Sequence, residues 1–464
     1  MASRARVKIT SARLMLSVVM ATVYSSASAY SLVEAYQDAL DNDAELAAAR
    51  ASLEADKQLI PLARSQTLPS IGASADISRE RFDPSGLPAR TFTSQVYGVS
   101  LSYPLYNAQN SVAVDQSKLQ VNISEARLAA AEQDLVLRVA EAFFDVLAAE
   151  NDLATTQAEK TAIGEQLAAA KRNFEVGTAT ITDQQEAQAR FDLAVAQELA
   201  AENALEVQRS ALQTLTGKPA EQLDDLAPGA ELKSPQPTVE SAWTAQARSA
   251  NLQVQQAMLG AEVAKREIDR QRYAGRPSLN AIGSVAHTRN PSSSAVGVRA
   301  NTAAVGLQLS VPLYTGGAIT AGVTQAGASL DEANSTLEVA RRQAEQGARQ
   351  LYLGLISGLS QVKALEAAEK SSQLALDSNR LGYRVGVRIN IDVLNAQQQL
   401  FSTQRDLARA RYDVLVNGLR LKSSTASLSA QDLSEVSALL APVELVEAED
   451  AADAPADKKP KAKK

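Results

Sequence analysis

The distribution of proline constrains this chain more than any other feature of its sequence. Two long stretches, residues 105–218 and 313–441, contain no proline. A proline inside a helix costs about 3 kcal/mol, because it lacks an amide proton and clashes with the preceding turn. The two stretches therefore favour very long helices. A helix from about Ala108 to Glu175 would be roughly 100 Å long at about 1.5 Å per residue.

A seven-residue repeat of apolar side chains supports this interpretation. Such a repeat places apolar residues along one side of a helix, where a neighbouring helix packs in a coiled coil. The two stretches carry it at Val121, Leu128, Leu135, Ala142 and Ala149, and at Val393, Leu400, Leu407, Val414 and Leu421. We therefore predict a mainly α-helical fold with a small β part.

The chain also contains two copies of one sequence unit. The matching segments are 101–106 (LSYPLY) with 309–314 (LSVPLY), at an offset of 208, and 174–177 (FEVG) with 383–386 (YRVG), at an offset of 209. A register kept over such a distance indicates a duplicated structural unit. We predict repeats at 30–217 and 239–428, joined by a linker at 218–238 that holds four prolines.

Each repeat holds two segments in which apolar and small polar residues alternate, which indicates β-strands with one apolar face. The clearest apolar sets are Tyr97, Val99, Leu101, Tyr103 and Leu105, and Val305, Leu307, Leu309, Val311 and Leu313. We expect these strands within about 68–106 and 278–314, with polar loops at 79–90 and 287–301, and with Ile282 as an exception on the polar side. Four strands cannot close a membrane barrel, which needs about eight, so several chains would have to contribute. The edge of a soluble β-sandwich is the alternative.

The two ends of the chain have features of their own. Residues 1–29 resemble a signal peptide, with four basic residues, a short apolar run and Ala27-Ser28-Ala29 before the cleavage point. Without this segment 53 acidic residues stand against 42 basic ones, which disfavours nucleic acid as a partner. No later segment is apolar enough to span a membrane as a helix, so a membrane-embedded part would have to be a β-barrel. Residues 429–464 are predicted to form a largely disordered tail.

The composition gives little support for an enzyme. The chain has no cysteine and one histidine, His287, which excludes disulfides and thiolate metal sites and disfavours histidine-based ones. No nucleophile–base pair and no cofactor motif stands out. We predict no catalysis, no cofactor and no metal.

From about Tyr30 to Val443 the sequence resembles the TolC family of outer-membrane export channels. The resemblance rests on both LSxPLY segments, the second of which continues as Thr315-Gly316-Gly317, on the paired FEVG and YRVG segments, and on Ile389-x-Ile391-Asp392-Val393-Leu394. It implies a homotrimer with four strands per chain in a twelve-stranded β-barrel, continued by an α-helical coiled-coil tunnel across the periplasm of a Gram-negative bacterium.

The resemblance further implies a closed periplasmic end with a latch between coiled coils. The latch positions fall at Thr182, Asp183, Tyr383 and Arg388. Opposite charges on adjacent helices can form such a latch, which is worth about 0–1 kcal/mol per exposed ion pair. The alternative is that Asp183 is a helix N-cap, with Glu186 completing a capping box.

A selectivity ring is implied at Asp392, where threefold symmetry would bring three carboxylates together. Such a ring attracts cations and is blocked by multivalent ones. Better-known family members carry a second acidic residue three positions later, where this chain has Asn395, so we expect weaker block. The alternative is that Asp392 caps a helix.

The turns that join the long helices are implied to contact a periplasmic adaptor protein. The tip residues are Val176, Gly177 and Thr178 in the first repeat and Val385, Gly386 and Val387 in the second. Glycine at such positions is also expected simply because it ends helices in a left-handed conformation.

The sequence thus predicts an exit duct of a type I secretion or efflux system. Its partners would be two further copies, the adaptor, an inner-membrane ABC or proton-driven transporter, and outer-membrane lipid. A periplasmic coiled-coil adaptor, or a structural protein of an envelope transport complex, is the alternative. The sequence does not distinguish between secreted polypeptides and small toxic molecules as the cargo.

Overall fold

The computed structural model describes residues 30–219, 222–227 and 229–441. The chain is mainly helical with a small β part, as predicted, and in each half short helices come first, followed by two strands and two long helices. The first half contains α1 (Leu32–Asn42), α2 (Ala44–Lys57), α3 (Leu59–Ser65), β1 (Ser70–Phe82), β2 (Arg90–Tyr106), α4 (Ala108–Glu175) and α5 (Ile181–Thr216). The second contains α6 (Glu240–Ala250), α7 (Leu252–Tyr273), β4 (Ser278–Arg289), β5 (Arg299–Ser310), α8 (Ala318–Arg384) and α9 (Asn390–Ser424). Strand β3 (Asp225–Leu226) lies between the halves, and α10 (Ala430–Ser437) and β6 (Leu440–Ala441) follow them.

The long helices form where the proline-free stretches predict them. Helix α4 has the predicted bounds, and the Asn107 side chain caps its start by accepting from the amides of Gln109 and Asn110. The seven-residue repeat of α9 is buried throughout, from Val393 to Leu421. None of the helices in the described part of the chain combines the length and apolar composition that a membrane span requires.

The four long strands form one antiparallel sheet in the order β1-β2-β4-β5. Ile71, Leu101, Gly283 and Val305 lie in one cross-strand row, and the side chains of such apolar rows are exposed. The alternate rows carry serine, glycine and alanine, and Ile282 lies among them beside Ser102, as the alternation predicts. The sheet therefore has one face of apolar side chains and one face of mostly small or polar residues.

The strand ends differ from the prediction. The loops are shorter than expected, residues 83–89 and 290–298, because the backbone ladder continues through polar residues that carry no alternation signal. Strand β5 ends at Ser310 and does not continue to Tyr314. The ladder stops there because Pro312 has no amide proton to donate to a neighbouring strand. Strand β2 continues past Pro104 with an irregular register before Tyr106.

A large core surrounds the middle of α4. Phe143 and Phe144 of α4 are fully buried, and Phe144 stacks on Tyr412 of α9 with ring centroids 5.7 Å apart. Buried leucines of α1, α5 and α10, including Leu32, Leu212 and Leu433, complete it. This core fixes the two halves of the chain to each other well away from both the sheet and the helical tips.

The predicted tail is wrong for residues 429–441. Ser429 and Asp432 form a capping box that starts α10, and Lys422 of α9 pairs with Asp432 at 2.5 Å. Strand β6 then pairs with β3 of the linker. The segment folds because Leu433 and Leu440 enter the core. Residues 442–464 and the predicted signal peptide, 1–29, lie outside the described residues.

Candidate functional site

The two helical tips have the same backbone structure. In the first, the Gly177 and Thr178 amides donate to the carbonyls of Phe174 and Asn173, at 3.0 and 2.8 Å. In the second, the Gly386 and Val387 amides donate to Tyr383 and Gly382, at 3.1 and 2.9 Å. Gly177 and Gly386 have φ of 78° and 79°, a left-handed conformation that favours glycine. The duplicated sequence thus builds two equivalent ends.

All six predicted tip residues are exposed. Val176 and Val387 are 73% and 75% exposed, and Val385 and Ile389 are also open to solvent. Apolar side chains that cluster on a surface mark interaction sites. The two tips therefore present apolar contact surfaces at the end of each helical hairpin.

Asp183 has a local role at the start of α5. Its Oδ2 accepts from the Thr180 amide at 2.9 Å and from the Thr180 hydroxyl at 2.6 Å, which closes a capping box. The N-cap is thus Thr180, and the alternative in which Asp183 is the N-cap and Glu186 completes the box is wrong, because the helix begins at Ile181. Thr182 is exposed, and its hydroxyl contacts that of Thr180 at 2.6 Å.

Tyr383 and Arg388 lie at the other tip. The Tyr383 hydroxyl accepts from Asn173 Nδ2 at 3.2 Å, which links α8 to α4. Arg388 pairs with Asp392 at 3.6 Å, and its stem packs over Gly382. Within the described residues of this single chain, no hydrogen bond or ion pair joins Thr182 or Asp183 to Tyr383 or Arg388.

Other side chains connect the two hairpins near the tips. Asn390 is only 3% exposed, accepts from Gln166 Nε2 of α4, and donates to the Asp183 carbonyl at 3.5 Å. Sequence reasoning missed Asn173, Gln166 and Asn390. An available signal was the polar Asn390 at the start of an apolar heptad pattern, since buried amides need partners.

Asp392 lies in the first turn of α9, with its side chain one-third exposed. Its carboxylate forms an ion pair with Arg388, and the N-cap residue Ile389 makes no side-chain cap. Asn395 is also engaged, because its Oδ1 accepts from Arg190 of α5 at 3.1 Å, and Arg190 also donates to Gln398 at 2.6 Å. Arg190 is a fourth site residue that the sequence did not reveal.

An ion-pair group holds the hairpins together farther from the tips. Arg405 of α9 pairs with Glu159 of α4 at 2.9 Å and with Asp152 at 3.5 Å. The Glu159 side chain is only 6% exposed, so this pair is well shielded from water. The hairpins are therefore joined firmly here, and by amide and hydroxyl contacts nearer the tips.

Comparison with known proteins agrees with this architecture. The family model described as "Outer membrane efflux protein" matches residues 35–218 and 243–427, one match in each half. The outer membrane protein TolC of Vibrio cholerae is 32% identical, over 92% of this chain and 97% of that protein. The alkaline protease secretion protein AprF of Pseudomonas aeruginosa is 31% identical, over 88% of this chain and 87% of its own length.

Solved structures show the same fold. The CmeC outer membrane channel of Campylobacter jejuni aligns with a TM-score of 0.74 at 17% identity, over 94% of this chain and 98% of that one. The outer membrane protein VceC of Vibrio cholerae aligns with a TM-score of 0.70 at 18% identity, over 86% and 96%. With a family match in both halves and relatives above 30% identity along nearly its whole length, the chain belongs to the outer membrane efflux protein family, that of the TolC channels.

Proposed function

We propose that three copies of this chain form one duct through the outer membrane and the periplasm, the exit component of a tripartite secretion or efflux system. The observation that carries the proposal is the sheet, whose apolar face is exposed and whose edge strands β1 and β5 have no partner in the described chain. Long edge strands present a row of unpaired backbone groups, with which a strand of another chain readily pairs. Strand β5 runs antiparallel to β1, so β5 of one copy can pair with β1 of the next, and three copies give twelve strands.

The family assignment makes this chain an outer-membrane channel and not an enzyme. Its helical part is periplasmic, and α4, at 68 residues, spans about 100 Å at about 1.5 Å per residue. A periplasmic adaptor is disfavoured as the alternative, because the matched family consists of outer-membrane channels.

The proposed latch joins neighbouring copies at the closed end. Within the described residues, no hydrogen bond or ion pair joins Thr182 or Asp183 to Tyr383 or Arg388, and the Arg388 side chain is 58% exposed. An arginine with spare donors pairs well with a carboxylate of the next copy. Asp392, in the first turn of α9, would then line the narrow end as a ring of three.

The exposed tips fit the adaptor as their partner. Val176, Gly177 and Thr178 and their counterparts Val385, Gly386 and Val387 form two similar apolar surfaces per copy. An inner-membrane ABC or proton-driven transporter would supply the energy through that adaptor. Relatives named for alkaline protease secretion and protease secretion favour a polypeptide as cargo. A relative named as an efflux protein, BepC, makes small molecules the second candidate.

The latch is tested with the Tyr383→Phe/Arg388→Ser double variant in planar lipid bilayers. Its conductance should rise several-fold above wild type while the heat-sensitive trimer persists on gels. Arg384→Ser is the matched control, since Arg384 is an exposed arginine of the same tip whose side chain forms no hydrogen bond or ion pair with the described residues. A double variant that conducts like wild type would refute the latch, and a wild-type protein that never forms trimers would refute the duct.

A further inference from the structure

The end of the sheet farthest from the helices carries arginines on its apolar face. Arg79, Arg81, Arg289 and Arg299 occupy the same alternation as Ile71, and all four are exposed. We call these residues the arginine cluster. It lies beside the two hairpin loops, because β1 and β4 run away from the helices and β2 and β5 return. The pairing of β1 with β2 and of β4 with β5 fixes the position of the arginine cluster on the sheet.

Two members of the cluster face each other directly. Arg289 and Arg299 are cross-strand partners at the closing pair of the β4–β5 hairpin. Like charges placed directly opposite each other destabilise a sheet. Among the described residues neither arginine has an ion-pair partner, nor does Arg79, whereas Arg81 contacts Asp83 at 3.4 Å. A bound anion would relieve this repulsion.

Acidic residues at this end of the sheet lie on the other face. Asp76 and Glu80 occupy the alternation of the small polar rows, and they share it with Ser100 and Gly98. Within the strands, the apolar face therefore carries only positive charge at this end. The segregation by face means that the arginines are not neutralised by acids beside them in the ladder.

The height of the cluster matches the edge of an apolar membrane layer. Apolar rows begin at the Leu279–Leu309 pair, and the Arg289–Arg299 pair lies ten residues farther along β4. Ten residues rise about 33 Å along a strand. With a strand tilt of about 40°, this becomes about 25 Å, the height of the apolar band of outer-membrane barrels. His287 and Asn301, bonded to each other at 2.6 Å, form the polar row just below.

We propose that the arginine cluster binds the phosphate groups of an anionic glycolipid in the outer leaflet of the membrane. The proposal rests on the proposed function, which turns the apolar face towards lipid and the hairpins outwards. Arginine recognises phosphate with two parallel hydrogen bonds, and the acyl chains of such a lipid would cover the apolar rows below. In the proposed trimer β5 meets β1 of the next copy, which brings the arginines of both edges to one seam.

The test is equilibrium binding of labelled lipid A, a bis-phosphorylated glycolipid, to the purified full-length protein in neutral detergent. Arg289→Gln/Arg299→Gln should bind lipid A at least about tenfold more weakly, because a lost charge-assisted hydrogen bond of about 1.4 kcal/mol is tenfold in affinity. Dephosphorylated lipid A should bind wild type and the double variant equally.

Arg299→Gln and Arg90→Gln form a matched pair of single variants. Both residues are exposed, and each is the first residue of the second strand of its hairpin. Arg90, the cross-strand partner of Phe82, differs in lying on the opposite face of the sheet. Arg299→Gln should weaken binding and Arg90→Gln should not. Equal loss in both variants would mean general charge attraction and would overturn the proposal.

Heat stability of the trimer supplies an independent readout of folding. Without lipid A, the double variant should dissociate at the same temperature as wild type or higher, because a repulsive pair is gone. With lipid A, only wild type should gain stability. Wild-type gain with inorganic phosphate alone, equal to that with lipid A, would make this a small-anion site and overturn the lipid proposal. Normal trimers and conductance without arginine-dependent lipid binding would refute this inference while leaving the duct intact.

Discussion

At the scale of single residues, Asp43 performs two structural tasks at once. Its Oδ1 accepts from the Leu46 amide at 2.7 Å as the N-cap of α2, and its carboxylate takes two hydrogen bonds from Arg138 of α4, at 2.8 and 3.1 Å. The side chain is 6% exposed. The Arg138 guanidinium holds the pKa of Asp43 below its usual value. The pair anchors the N-terminal helices to the core.

Asp43→Asn should separate the two tasks, because asparagine is also a good N-cap but cannot pair with Arg138. We expect the free energy of unfolding to fall by about 2 kcal/mol, since a shielded arginine loses its main partner while keeping Asp134. The measurement is the denaturant midpoint of the helical circular dichroism signal. Asp41→Asn is the control. Asp41 lies at an exposed position of the preceding helix, and its substitution should change the free energy of unfolding by less than about 0.5 kcal/mol.

The same pair predicts a pH dependence with a definite sign. Because folding lowers the pKa of Asp43, its stabilisation is present above the ordinary value of 3.8 and is lost as the pH falls through the lower folded value. Wild type should therefore lose its advantage over Asp43→Asn only below about pH 3.8. An advantage that vanished already near pH 6 would contradict the assignment.

Residues that follow from backbone geometry were predictable, and residues that follow from tertiary contact were not. Gly177 and Gly386 could be placed at turns because left-handed backbone favours glycine. Asn173 and Arg190 could not be found, since their partners lie on helices that are distant in sequence, and one polar residue on a helix gives no sign of which neighbour it meets.

At the scale of elements, the two tips share one backbone conformation but differ in their side chains. Asn173 of the first tip corresponds to Gly382 of the second, and Ala179 corresponds to Arg388, at the offset of 209. A Cβ at Gly382 would lie 2.7 Å from Arg388 Cγ and 3.3 Å from its Cβ. The first tip thus provides an amide for Tyr383, and the second provides space for the arginine stem.

Gly382→Ala should therefore displace Arg388 and loosen the proposed latch. We expect a higher conductance in planar bilayers with trimers intact, because the added methyl group touches the arginine near its backbone. Gly354→Ala, on the same helix with nothing within 4 Å of the new Cβ, is the control and should leave conductance unchanged. An identical conductance in both variants would show that Arg388 does not depend on Gly382.

Elements were predictable in proportion to the strength of their pattern. The long helix α4 followed from the proline-free stretch and the seven-residue repeat, whereas its cap, Asn107, was seen only in the structure. The strand ends at Phe82 and Arg289 did not, because polar residues in a ladder look like loop residues. Helix α10 escaped prediction because it has eight residues and one fully buried leucine, Leu433.

At the scale of the whole molecule, the charge of the proposed narrow end would be a property of three copies together. Asp392 would contribute one carboxylate per copy, and Arg388 partly neutralises it at 3.6 Å. Asn395, where a second ring would stand, is bonded to Arg190. The presence of this arginine changes what a new carboxylate at position 395 can do.

We expect Asn395→Asp alone to tighten block by a trivalent cation only slightly, because the new carboxylate would pair with Arg190. Asn395→Asp with Arg190→Gln should tighten it clearly, since Coulomb attraction then sums over two free rings. Asp392→Asn should remove most of the block. Conductance against added hexamminecobalt(III) measures all three, and Arg190→Gln alone serves as the control. If cation block were the same in all variants of positions 392 and 395, Asp392 would not face the lumen.

The matched lengths of the helices restrict how this molecule can change in evolution. Helices α4 and α8 have 68 and 67 residues, and α5 and α9 have 36 and 35, each pair ending at equivalent tips. One inserted residue would advance a helix by about 1.5 Å and rotate everything beyond it by about 100°. An insertion of seven residues rotates it by only about 20°. The duct can therefore lengthen or shorten most readily by near-whole numbers of turns, such as heptads, gained or lost in all four helices together. The helix lengths thus set the distance from the outer membrane to the tips.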